Sequence, residues 1–443
     1  MHSPAHHSRA WRWWICALLL CASAINYMDR QALANAAVRI TTQFQLNQEQ
    51  YGNLELGFGY AFAVGSLFFG ILVDRFAVRW LYPLVLLLWS ATGFATGLVH
   101  GYTDLLVCRT LLGFFEAGHW PCAIKTTQRL LDPKDRSMGN SVLQSGTSIG
   151  AIITPLIMRA LMTEELGTWR LAFQAIAFVG VVWIIAWFAT VRKGDLTGSP
   201  AAATTGGSGP SDVHSLKSES RKPKAAVEES VHPAAAESPW RALFSRRMLV
   251  VLVVVALINT CWQILRAWLP KFLQEGRGYT EADALYFNSL FFVATDVGCL
   301  GAGALTLWLH RRGRAVNAAR YATFFLCAVL AALTTFVPWL PKGWPLLAVL
   351  LLVGAGVLGL FPVYHAFTQD ISPHHQGKVT GIAGVAAWAL SPLQKLYGRL
   401  IDQTGSFDFG LALAGWLPIV AFVVLYFFWG REESTNPSSS KTR

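Results

Sequence analysis

Runs of about 20 apolar residues recur along almost the whole chain, separated by short polar connections. A run of that length crosses the hydrocarbon core of a bilayer as a helix, because lipid offers the backbone no hydrogen-bond partner outside the segment itself. With 53% hydrophobic and 14% charged residues, the chain is too apolar for a soluble globular protein and reads as a polytopic membrane protein. The formal charge of +11 raises nucleic-acid binding, so the placement of the basic residues decides. They collect in alternate connections and at the two termini, which is the positive-inside pattern. It places both termini in the cytoplasm and leaves no nucleic-acid partner to explain.

The apolar runs fall at about 11–38, 51–73, 80–100, 104–130, 139–161 and 171–191, then at about 248–273, 285–309, 316–339, 344–370, 378–402 and 409–430. The fold class expected is all-α, with twelve transmembrane helices in two six-helix bundles, 1–191 and 248–430. Between them, 192–247 turns to Gly, Ser, Ala, Pro and charges, a composition that cannot bury a core and predicts a flexible cytoplasmic linker. Residues 431–443 form a cytoplasmic tail. Near the N-terminus, Arg9, Arg12, the run 15–22 and Ala22-Ser23-Ala24 imitate a signal peptide. Cleavage there would leave an odd number of spans, so the segment is read as retained. The seven cysteines all lie inside apolar runs and read as small packing residues, implying neither disulfides nor a metal site.

Charge inside these runs is expensive and calls for a reason. The first run holds Asn26, Tyr27, Asp29 and Arg30; the fourth holds Arg109, Glu116 and His119 before Pro121. Arg109 and Glu116 are two helical turns apart and His119 follows one turn later, so a continuous helix would carry all of them on one stripe. Pro121 should bend that helix. In the fifth run, Gln144 and Ser148 lie among glycines; in the seventh, Gln263 and Arg266 share a face. Asp296 lies mid-run, and Tyr364, Trp388 and Ser391 add polar or flat aromatic surfaces suited to sugar C–H groups, with Tyr60 a further candidate lining residue. The turn Gly70-Ile-Leu-Val-Asp74-Arg75-Phe-Ala-Val-Arg79 joins two runs tightly.

That turn resembles the signature of the major facilitator superfamily, departing from it at Ala77, where a glycine is usual. Asn26 to Arg30, the Arg109 to Pro121 stretch, Ser145-Gly146-Thr147-Ser148-Ile-Gly150 and Trp268-Leu-Pro270-Lys-Phe272 together resemble the anion:cation symporter branch, most closely the bacterial hexuronate and galactonate transporters. The resemblance is weaker in the second half, where Gly381 to Trp388 lacks the asparagines common in such proteins. It implies that Arg30 grips a substrate carboxylate, that Asp29 and Glu116 hold a coupled proton balanced by Arg109 with His119 nearby, and that Gly70, Asp74, Arg75 and Arg79 form a conformational gate. In that family the acid of the turn latches onto a neighbouring helix end in one conformation of the cycle.

The expected activity is proton-coupled symport of a sugar acid, or a similar organic anion, into the cell across the inner membrane. Its partners are the anion, a proton and the bilayer; it needs no cofactor or metal and acts as a monomer. An organic-anion exchanger or exporter would use the same arginine without both acids, and a transport-inactive sensor would bind without accumulating. An enzyme is disfavoured, since the close histidine pairs His6-His7 and His374-His375 fall in a tail and a loop.

Overall fold

The computed structural model describes residues 8–131, 136–196, 245–371 and 376–430. Most of the expected linker, from 197 to 244, and the tail 431–443 lie outside the described residues. In the first half the helices are α1 (Arg9–Asn35), α2 (Ala37–Gln43), α3 (Gln48–Arg75), α4 (Val78–Thr96), α5 (Tyr102–Glu116), α6 (His119–Leu130), α7 (Arg136–Leu161) and α8 (Trp169–Thr190). In the second they are α9 (Arg246–Lys271), α10 (Glu281–Arg311), α11 (Val316–Ala332), α12 (Trp344–Gln369), α13 (Gln376–Ala386), α14 (Pro392–Thr404), α15 (Asp408–Ala414) and α16 (Leu417–Phe428).

Among the described residues, 9 helical segments are long and apolar enough to cross a membrane. Three more spans complete a set of six per half: α1, whose charged residues lower its hydropathy, and the broken pairs α5–α6 and α13–α14. The breaks have one cause. Proline cannot donate to the carbonyl four residues earlier, and its ring collides with that carbonyl. The chain leaves the helix at Ala117–Gly118 before Pro121, at Ala387–Ser391 before Pro392 and at Gly415–Trp416 before Pro418. Thus the span expected over 104–130 is bent where Pro121 predicts, and the spans expected over 378–402 and 409–430 are also interrupted.

The halves meet along a seam formed by α1 and α7 with α9 and α10, and by α3 with α13 and α14. At the end where α1 finishes and α3 begins, the seam is densely bonded. Asn47 and Gln50 close a capping box at the start of α3, and Asp402 of the other half accepts from the backbone N–H of Gln48 (2.9 Å) and Glu49 (2.8 Å). A carboxylate at a helix N-terminus satisfies orphan donors and meets the positive end of the dipole. Beside it, Glu49 pairs with Arg399 (2.8 Å) and Lys395 (3.3 Å), Arg39 with Glu281 (2.6 Å), Lys271 with Thr41 (2.8 Å) and Asn288 with Asn35 (2.8 Å).

Glycines let the backbones touch there. A Cβ on Gly52 would strike the backbone of Gln394, and one on Gly398 the backbone of Gln48. Further along, Gly59 lies against Ser391 and Trp388. Further still on the same two spans, Gly70, Gly381 and Gly384 face open space, with nothing within 4 Å of a Cβ. The halves therefore diverge from a sealed end toward an open one.

Candidate functional site

Arg30 sits midway along the seam. Its Nε donates to Glu116 Oε2 (2.8 Å) and its Nη2 to Asn26 Oδ1 (3.2 Å), one turn earlier on α1. The guanidinium lies over Phe62 (4.7 Å to the ring centroid) and Phe58 (5.3 Å), and Trp388 of the other half packs on these same rings. Glu116, the last residue of α5, is fully buried. A planar fork held on one edge by a carboxylate and covered by aromatic faces suits recognition of a carboxylate or another oxyanion.

From the sequence, Arg109 is expected to balance Asp29 and Glu116. Instead, Arg109 Nη2 donates to Glu55 Oε1 (3.0 Å), and the other oxygen of Glu55 accepts from Arg266 Nη2. Arg266 comes from the opposite half, is held by Gln263 Oε1 on its Nε (2.7 Å), and reaches the backbone carbonyl of Arg30 through Nη1 (3.4 Å). One carboxylate, 1% exposed, thus ties guanidiniums from both halves. Glu55 escaped the sequence reading, although it stands as a lone acid in Gly52-Asn-Leu-Glu55-Leu-Gly57, inside a span and subject to the same cost as Asp29.

Asp29 points away from the seam. Successive residues on a helix differ in direction by about 100°, and while Arg30 faces the other half, Asp29 faces α4, where a Cβ on Gly93 would stand 3.0 Å from Asp29 Oδ1. Both its oxygens are buried and have no hydrogen-bond partner among the described residues. His119 leaves the expected stripe altogether, because the break at Ala117–Gly118 begins a new helix and turns it inward. Its Nε2 meets Ser23 Oγ (3.0 Å) and its Nδ1 meets Tyr82 Oη (2.9 Å), with Trp89 edge-on to the ring. It packs the N-terminal half and does not join the carboxyl groups.

Other expected lining residues divide. Gln263, Trp388 and Ser391 line one cleft with Thr260 and Gln394. Tyr27 lies beside Arg30, whose guanidinium is 5.7 Å from its ring centroid. Ser148 Oγ donates to Asp296 Oδ1 (2.7 Å) across the seam, and Gln144, one turn toward the open end, is exposed and bonds Thr147 Oγ1 (3.3 Å). Tyr364 is withdrawn into the core of the C-terminal half, on Phe361 and His365. Tyr60 is 48% exposed and belongs to an outward-facing stripe with Val64, Leu67 and Phe68, so it is removed from the site.

The turn after α3 makes its contacts within the N-terminal half in this conformation. Asp74, its side chain 81% exposed, meets Lys125 of α6 (3.2 Å), a neighbour in its own half. Arg79 donates through Nε to the carbonyl of Val191 (2.9 Å) and lies over Trp80 (4.7 Å), fixing α4 to the end of α8. Arg75 is exposed, and a Cβ added to Gly70 would meet nothing within 4 Å.

The family model described as Major Facilitator Superfamily matches residues 19–393, most of both halves. The chain belongs to that superfamily. Relatives of this superfamily member include a "Probable L-galactonate transporter" of Escherichia coli (strain K12), 26% identical over 95% of this chain and 89% of that protein. A "Galacturonate transporter" of Dickeya chrysanthemi is 22% identical, covering 79% and 91%. A "Probable sulfoacetate transporter SauU" of Cupriavidus necator is 26% identical, covering 88% and 87%. Among solved structures, a bacterial homolog of the human lysosomal transporter Spinster shares the fold with a TM-score of 0.74 at 17% identity, over 95% of this chain and 98% of that one. The protein is a multi-pass membrane transporter rather than an enzyme.

Proposed function

We propose that the protein is a proton-coupled symporter that brings a sugar acid, an aldonate or hexuronate, into the cell across the inner membrane by rocking its two halves about Arg30. The observation that carries the reading is the Arg30 guanidinium, buried at the seam with Glu116 on its Nε and aromatic rings on its faces. The relatives named for galactonate, galacturonate and sulfoacetate share with one another only an oxyanion head, the group such an arginine would grip.

Charge in this layer supports proton coupling. Among the fully buried charges of this layer, Arg30, Arg109 and Arg266 are matched in number by Glu55, Glu116 and Asp29, with the partly exposed Asp296 held apart on Ser148. A proton on Asp29, or on Glu116 with release of Arg30 Nε, leaves one positive charge. A single carboxylate then restores neutrality, so anion and proton enter together. A buried carboxylate without a donor costs several kcal/mol, whereas a carboxylic acid needs none, and Asp29 is the acid without donors.

The orientation follows from the basic residues. Arg75, Arg79, Arg192, Lys193, Arg246, Arg247, Arg311 and Arg312 gather at the open end with the start of α1. By the positive-inside rule that end is cytoplasmic, both termini lie inside, and the conformation is inward-open. The test is uptake into vesicles containing the purified full-length chain, with labelled galactonate, galacturonate and sulfoacetate as probes. Accumulation driven by an imposed proton gradient is expected for at least one sugar acid. Accumulation only against a preloaded anion would make the protein an exchanger, and binding without accumulation would make it a sensor.

A further inference from the structure

We propose that Glu55 is the latch between the two halves: its carboxylate holds Arg109 of one half and Arg266 of the other, and the sealed end parts only when Glu55 releases Arg266. The inference rests on the rocking mechanism proposed above but not on which anion is carried.

The geometry separates Glu55 from the other seam contacts. Arg39–Glu281 and Glu49–Arg399 lie near the sealed surface, with partners 13% to 48% exposed, where water replaces a lost partner at little cost. Glu55 and Arg266 are 1% and 0% exposed in their side chains, so parting them without a substitute leaves charges stranded in a dry site. The pair also cannot travel with one half: Glu55 is fixed on α3 through Arg109, itself lying over Phe58 (4.4 Å), while Arg266 is fixed on α9 through Gln263. Tyr51, one turn before Glu55, donates to the carbonyl of Ala267, beside Arg266 (2.8 Å), so the two bonds close α3 onto α9 together.

Arg266 is therefore occupied by a resident anion in this conformation. A substrate carboxylate arriving from the open end finds Arg30 first, and Arg266 becomes its ligand only by displacing Glu55. That exchange would couple a filled site to opening of the sealed end, because the incoming anion supplies the charge that Arg266 loses.

The test is hydrogen–deuterium exchange of the full-length chain in lipid nanodiscs, reading the sealed-end segments 44–54 and 395–404 against an internal reference, 82–92 in α4. Glu55→Gln is expected to speed exchange in both sealed-end segments tenfold or more, with the α4 reference unchanged. The double variant Glu55→Gln, Arg266→Gln removes one charge of each sign and is expected to behave alike, which keeps the test readable if the single variant strands Arg266 and unfolds. Sealed-end exchange as slow as in the parent protein in both variants would overturn the latch. So would loss of protection throughout α4 in both, which would make Glu55 a folding element. Galactonate and galacturonate added to the parent chain report separately: no change with either speaks against the proposed substrates and leaves the response of the variants standing.

Discussion

Arg30 and Glu116 belong to the same half, so their ion pair travels intact when the halves rock; Glu55 and Arg266 belong to opposite halves, so theirs has to break. Both pairs join a guanidinium to a buried carboxylate, and neither is good evidence of stability, since the attraction is offset by desolvation. Their difference lies in what shares the bond. The first leaves Arg30 a small exposed fraction (7%) at the seam, and the second is already completed by Arg109. Burial alone does not separate a binding pair from a clamp; membership of the two rigid bodies does.

The comparison can be broken most severely at Arg30. Arg30→Ala should weaken apparent affinity for the carried anion about 100-fold or more, the loss expected for a desolvated charged hydrogen bond, as read from uptake against substrate concentration. Unchanged affinity would reduce the Arg30–Glu116 pair to a structural one. Glu116→Gln and Asp29→Asn should abolish accumulation while preserving exchange of labelled for unlabelled anion. The parent's uptake should rise as the outer pH falls, because protons load the carried complex, and the profile of both variants should be flat. A wedge sharpens the other side of the comparison: Gly398→Leu would press on the backbone of Gln48. Overpacking of about 1–3 kcal/mol should hold the sealed end apart and lower uptake roughly tenfold without changing the anion preference. Arg39→Gln breaks a partly exposed pair worth about 1 kcal/mol or less, and uptake should change less than about fivefold. The smallest effect is expected at Tyr60→Ala, within about twofold, since surface changes away from special contacts are nearly neutral.

Much of this was legible before any coordinates. Hydropathy runs carry the spans, because lipid imposes one solution on the backbone, and the cost of buried charge singles out Arg30, Glu116 and Arg109. Pairing was not legible. Arg109 reaches Glu55 across about 50 residues of chain and Arg266 reaches it across 211, and helical periodicity says nothing about partners on other helices. The resemblance gives Asp29 the coupled proton but not its direction, and adjacency to Arg30 on a helix means divergence from it. His119 was placed by extending an ideal helix through a stretch that Pro121 interrupts. Tyr60 was named by residue type, and only the packing of α3 reveals which of its faces meets another helix.

The proline-broken spans carry a consequence for how the chain crosses the bilayer. Where Pro121 and Pro392 interrupt their helices, the carbonyls of Ala117 and Trp388 lose the donor a continuous helix would supply, and the Trp388 oxygen instead accepts from the backbone N–H (3.1 Å) and the hydroxyl (2.6 Å) of Ser391. Hydrocarbon would not tolerate such oxygens, so these turns must face protein or water. Ala117 and Trp388 are both buried, so each span changes direction inside the bilayer without presenting bare backbone to lipid. Removing the Ser391 hydroxyl would leave the Trp388 oxygen a single local donor, whereas replacing Pro392 would give the span back an N–H with which to run straight through.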